Sequence, residues 1–152
     1  MILTNPNIFV DAFGPLLNKL LKSNCTLYYA VGSGDTQWDN EADKGLSKKS
    51  RSRTTLFNEV FRKKIDNVSD TDYIDDNNQV SITPTKKLQF RVELDTDEAI
   101  GELREFAVFV DPEGSDIPGV DEGTMILHEI HPKAVKAGGE TVNRYVNLVL
   151  MN

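Results

Sequence analysis

Leu88, Phe90, Val92 and Leu94 alternate with Gln89, Arg91 and Glu93. Successive side chains of an extended chain point to opposite faces, so a period of two demands a strand with one apolar and one solvated face. The pattern returns at the end of the chain. There Val142, Arg144, Val146, Leu148 and Leu150 alternate with Asn143, Tyr145, Asn147, Val149 and Met151. A half-buried strand needs a second layer to cover its apolar face. Residues 103–110 and 124–130 are apolar on both faces near their centres, which predicts central strands. Leu103 and Phe106 fall out of phase, which predicts a bulge between them. Residues 27–32 read as another buried strand, running into a glycine turn. Strands separated by Gly, Pro and Asp turns predict an antiparallel β-sandwich rather than βαβ units.

The amino-terminal segment differs. Asn5-Pro6 offers a polar cap with proline in the first turn, and Phe9, Phe13, Leu16, Leu17 and Leu20 recur at helical spacing. Pro15 cannot bond back to the Asp11 carbonyl, which predicts a kink or two short helices. Ser23-Asn24 ends the unit. The expected architecture is therefore mainly β: one domain over residues 1–152, with a short kinked helical segment (1–24) and a β-sandwich (25–152). A chain of 152 residues buries roughly two-thirds of its unfolded surface. Two long connections, 33–54 and 110–123, exceed the roughly 12–15 residues usual for an unstructured loop in a compact domain, a length that marks functional or disordered segments.

Charge and cysteine use narrow the partners. The formal net charge is −7, which disfavours free nucleic acid and anionic membranes. Cys25 is the only cysteine, so no intrachain disulfide forms, and it is expected to fill core space beside a strand. No stretch resembles a signal peptide or a membrane span. The expectation is a protein made and kept in the cytoplasm, unless it leaves as part of a larger particle.

Each candidate for reaction chemistry has a plainer account. His128 and His131 have an odd separation, so on a strand they face opposite ways, and the metalloprotease spacing on a helix is missing. Gly32-Ser33-Gly34 follows a strand but lacks the continuation of a phosphate loop, so a turn is expected. Two acidic runs, Asp66 to Asp76 and Asp111 to Glu122, lack the spacing of a calcium loop. No serine lies in a nucleophile elbow, and Cys25 is not followed by a helix start. Glu102 and Glu105 are unremarkable carboxylates in an acidic chain. The expectation is no catalytic residue, no metal and no cofactor. Lys48, Lys49, Arg51 and Arg53 form a short basic run without interleaved aromatics, which suits an acidic neighbouring subunit better than nucleic acid.

Three segments together carry a resemblance. They are Ala30-Val-Gly-Ser-Gly34 with Trp38-Asp39 in the following loop, Thr54-Thr-Leu-Phe-Asn-Glu-Val-Phe-Arg-Lys63, and Leu103-Arg-Glu-Phe-Ala-Val-Phe109. With Met125 to Pro132 and Arg144 to Leu150, they resemble small phage proteins of the tail and baseplate (tail-fibre type). The basic stretch 44–53 departs from that pattern, where a shorter proline-bearing linker is expected. The resemblance implies a virion component, assembled in the host cytoplasm from other virion structural proteins and further copies of itself. It makes Gly32, Gly34, Trp38, Thr55, Leu56, Glu59 and Arg62 the signature of the fold, and carries over no active-site residue. Alternatives are a capsid-surface decoration protein, or a glycan-receptor module with Trp38 and Tyr73 as stacking platforms and calcium in an acidic loop.

Overall fold

The computed structural model describes residues 10–111 and 123–150. Helix α1 (Phe13–Asn24) leads into β1 (Thr26–Gly32). Two 3-10 turns follow, Thr36–Asn40 and Leu46–Lys48. The remaining elements are β2 (Glu59–Ile65), β3 (Thr71–Ile74), β4 (Val80–Ser81), β5 (Lys87–Leu94), β6 (Gly101–Asp111), β7 (Thr124–Lys136) and β8 (Val142–Val149). They form two four-stranded sheets, in the orders β2-β1-β6-β7 and β4-β3-β5-β8, and every pairing is antiparallel. The protein is mainly β, as the period-two patterns require. Among the described residues no helix is long and apolar enough to cross a membrane.

Alternation assigns the inner faces. Leu88, Phe90, Val92 and Leu94 of β5 meet Leu27, Tyr29 and Val31 of β1, Val108 and Val110 of β6, and Val146 and Leu148 of β8 in one core shared by both sheets. The outward residues of β1 and β6 are buried too. Tyr28, Ala30, Ala107 and Phe109 form a second apolar cluster with Leu56. These two strands are therefore covered on both faces, and the cover on the outer face comes from the segment joining β1 to β2.

Two expectations are corrected. Residues 124–130 were expected to form a central strand, but β7 lies at the edge of its sheet. Its apolar residues are used on both sides without a strand on each flank: Leu127 packs on the main core, and Met125 packs on the outer cluster. The second correction concerns the helix. Pro15 sits in the first turn of α1, where no intrahelical bond is lost, so it starts the helix without kinking it. Phe9 and the proposed cap Asn5-Pro6 lie outside the described residues. Leu16 and Leu20 face solvent, while Gly14 and Asn18 are buried. A Cβ on Gly14 would stand 2.8 Å from the Leu150 carbonyl oxygen, so backbone meets backbone there. Asn18 Nδ2 donates to the Thr85 carbonyl at 2.8 Å. Of the predicted stripe, Phe13 and Leu17 are half-buried, and together with Gly14, Asn18 and Leu21, which packs on the core, they mark the docked face.

The predicted bulge is present. Leu103 pairs with Ala134 but Glu105 pairs with Ile130, so β7 carries the extra residues, including Pro132, which has no N–H to offer a ladder. A second shift between Val108 and Phe109 leaves Ile126 as an extra residue of β7.

This packing predicts a contrast. Phe90→Ala, at a fully buried inner position, should cost about 3–5 kcal/mol in urea denaturation. Leu16→Ala, on the exposed face of α1, should stay within about 0.5 kcal/mol of the parent.

Candidate functional site

The outer face of β1 and β6 is where charge and aromatic residues converge. In a regular strand, successive side chains diverge, yet Arg104 and Glu105 both reach the covering segment between β1 and β2. The irregularity between Leu103 and Glu105 makes this possible. Glu105 is fully buried. Its Oε1 accepts from the Asn58 backbone N–H at 3.0 Å, and its Oε2 accepts from the Phe57 N–H at 3.1 Å. His128 Nε2 lies 2.9 Å from the same Oε2. Burial pushes the Glu105 carboxyl up, but the His128 bond and the two backbone N–H groups outweigh it and hold the group below its ordinary range. It is therefore ionised, and the N–H on His128 Nε2 is the donor.

Arg104, nearly as buried, fastens the first half of the same segment. Its Nε and Nη2 donate to the two Asp39 carboxylate oxygens at 2.8 and 2.6 Å, and Nη1 donates to the Ser33 carbonyl at 2.9 Å. Glu102 closes the cluster at 2.6 Å from Nη2. The Arg104 bonds hold the Asp39 and Glu102 carboxyls low, and the guanidinium is in turn held further above its ordinary range.

Trp38 is packed under this segment, with 3% of its surface exposed. Gly34 (φ +61°) and Gly45 (φ +86°) lie against its ring, and a Cβ on Gly45 would stand 2.6 Å from Trp38 Cδ2. Phe57 meets the indole edge-on at 4.9 Å between centroids, and the Arg53 guanidinium lies over the Phe57 ring at 3.4 Å. Tyr73 is also buried, with Lys22 Nζ 5.7 Å from its ring centre. Neither ring is presented as a stacking platform.

Most of the sequence-selected residues converge here. Gly32 pairs with Glu105, and a Cβ on it would stand 2.7 Å from Glu105 Cγ. Leu56 joins the outer apolar cluster, and the Thr55 carbonyl accepts from Arg53 Nε at 2.9 Å. Glu59 and Arg62 form a buried ion pair at 2.7 Å, with the Arg62 guanidinium 4.0 Å over the Phe109 ring. Lys48, Lys49 and Arg51 are exposed on the same covering segment, and Lys49 pairs with Glu129 at 2.8 Å.

His128 and His131 face opposite ways, as their spacing requires: the first meets Glu105 and Phe57, the second packs by Phe106 and bonds the Pro132 carbonyl. Among the described residues no three His, Cys, Asp or Glu side chains come together so as to hold a metal ion. In the first acidic run, Asp66 and Asp75 cap their own turns, and Asp70 pairs with Arg91. The second run lies outside the described residues beyond Asp111. The residues missed from sequence are Arg104, Glu105 and His128. The available signal was two opposite charges side by side within a strand otherwise apolar on both faces, where a charge must be paired. Compared with known families and curated proteins, the chain matches no family model and no curated sequence.

Three outcomes test this arrangement. Glu105→Ala leaves two backbone N–H groups and His128 without an acceptor, and should cost about 3–5 kcal/mol in chemical denaturation. Because the folded Glu105 pKa is depressed, its stabilisation is present above the unfolded value near 4.5 and is lost as pH falls through the lower folded value. Trp38 fluorescence should therefore shift to the red in acid, and in Glu105→Gln this pH dependence should shrink to the part carried by Asp39 and Glu102. Gly45→Ala combines a positive φ with overlap on the indole, and should cost about 1–3 kcal/mol while exposing Trp38 to an aqueous quencher at neutral pH.

Proposed function

We propose that this chain is a non-enzymatic structural subunit of a phage-type particle, placed in the tail, baseplate or fibre-attachment region and working by assembly with other virion proteins and further copies of itself. The observation that carries the proposal is the mounting of the basic run. Lys48, Lys49 and Arg51 project from a segment that Arg104 and Glu105 fasten to the sheet at both of its ends. Charges held on a rigid support define where a partner sits, at little ordering cost on association.

The side chains best suited to chemistry support the same reading by what occupies them. The Glu105 oxygens are taken by backbone N–H groups and His128, and Arg104 is taken by Asp39, Ser33 and Glu102. Such groups hold a fold in place. They are not poised over a substrate. The resemblance of the Gly32-to-Trp38 and Thr55-to-Arg62 segments to tail and baseplate proteins supplies the particle.

Light-scattering mass determination and co-sedimentation with particles test the reading. The expected outcome is self-association, or capture by particles, that weakens on Lys48→Glu/Arg51→Glu double charge reversal. A lone monomer with no affinity for particles would sink the proposal.

A further inference from the structure

Beside the covered face runs a groove of about 430 Å³. One wall carries Lys49, Arg51 and Arg53, and the other is residues 125–128 of β7. Alternation normally gives a groove every second residue of a strand. Four in succession line this one because it follows the backbone edge of β7, with Ile126 as the extra residue of a bulge. That edge has no neighbouring strand among the described residues. The groove is thus bounded by unpaired backbone on one side and by cations on the other.

Charge selects the occupant. The whole chain is at −7, yet three cations meet in this one cleft. One of them already holds a carboxylate, since Lys49 Nζ sits 2.8 Å from Glu129 Oε1. Arg53 is fixed flat on Phe57, so its planar donors are pre-ordered. The edge of β7 adds a distinct demand, for main-chain N–H and C=O groups placed along it. A polypeptide brings those groups together with carboxylates, which a bare oxyanion does not.

We propose that this groove is a docking site for an extended acidic polypeptide segment. The segment lies along the free edge of β7 and places its carboxylates against Lys49, Arg51 and Arg53. Main-chain bonds to the edge supply affinity, and the cationic wall supplies selectivity. The proposal rests on the assembly reading only for the source of the segment, a neighbouring subunit.

The test uses a labelled octapeptide of alternating Glu and Val, followed by fluorescence anisotropy, with amide chemical shifts of the protein recorded in parallel. Binding is expected to fall roughly tenfold on Arg51→Glu and to fall with added salt. It should also fall roughly tenfold when alternate peptide amides are N-methylated, and stay unchanged on Lys19→Glu, an exposed residue of α1 that does not line the groove. The shifts should map to residues 124–131. Equal binding of a Lys/Val octapeptide, insensitivity to N-methylation, displacement by inorganic phosphate or an oligonucleotide at peptide-like concentration, or shifts confined elsewhere would each overturn the proposal. Failure of peptide binding with particle capture intact removes the groove alone. Peptide binding without self-association or particle capture removes the assembly reading and leaves the groove.

Discussion

A single buried carboxylate holds the outer half of this protein together. Glu105 sits at full burial between the sheet and its covering segment, taking two backbone N–H groups from one side and His128 from the other. Moving a carboxylate out of water costs several kcal/mol, and only a full set of donors offsets it. Those donors exist only when the segment is folded down on the sheet. The charge therefore penalises every arrangement in which residues 57 and 58 are elsewhere. Arg104, one residue earlier, does the same for Ser33 and Asp39. A strand irregularity turns two neighbouring side chains toward one loop, and the loop then shields Tyr28, Ala30, Ala107 and Phe109 from water.

The glycine turn follows from the same constraint. With Arg104 and Glu105 fixing the two ends, the intervening chain has a set path, and Trp38 fills the space under it. Gly34 and Gly45 meet the indole where any Cβ would collide, and both need a positive φ. Gly32 is small for a different reason: the Glu105 side chain crosses it. The short patterned segments therefore mark points where backbone passes close to a large or charged side chain.

The inner layer was legible because period-two burial is a local property. Leu88 to Leu94 and Val142 to Leu148 declare their faces without reference to anything distant. The bulge was legible for the same reason, as a phase error within one strand. What failed depended on partners far along the chain. Apolarity on both faces of β7 says only that both faces are covered, and a loop covers as well as a strand does. The stripe says a helix has an apolar side, while its exact setting, with Leu16 and Leu20 outward and Leu21 on the core, depended on a close approach at Gly14 and an amide bond from Asn18 to Thr85. At the candidate site, Gly32, Trp38, Leu56, Glu59 and Arg62 were marked only by the resemblance of their segments. The ionised centre was not, because two of the three partners of Glu105 are backbone groups, which leave no signature in side-chain identity.

The irregularities of β7 bear on more than side-chain direction. An open strand edge can template the next strand, and the next, until a fibre results. Here the edge, which has no neighbouring strand among the described residues, is interrupted by the extra residue Ile126 and by the Pro132 bulge, so only a short stretch between them keeps regular spacing. A stretch of that length has room for one short strand before register is lost. The irregular spacing thus works against the edge as a template for endless growth.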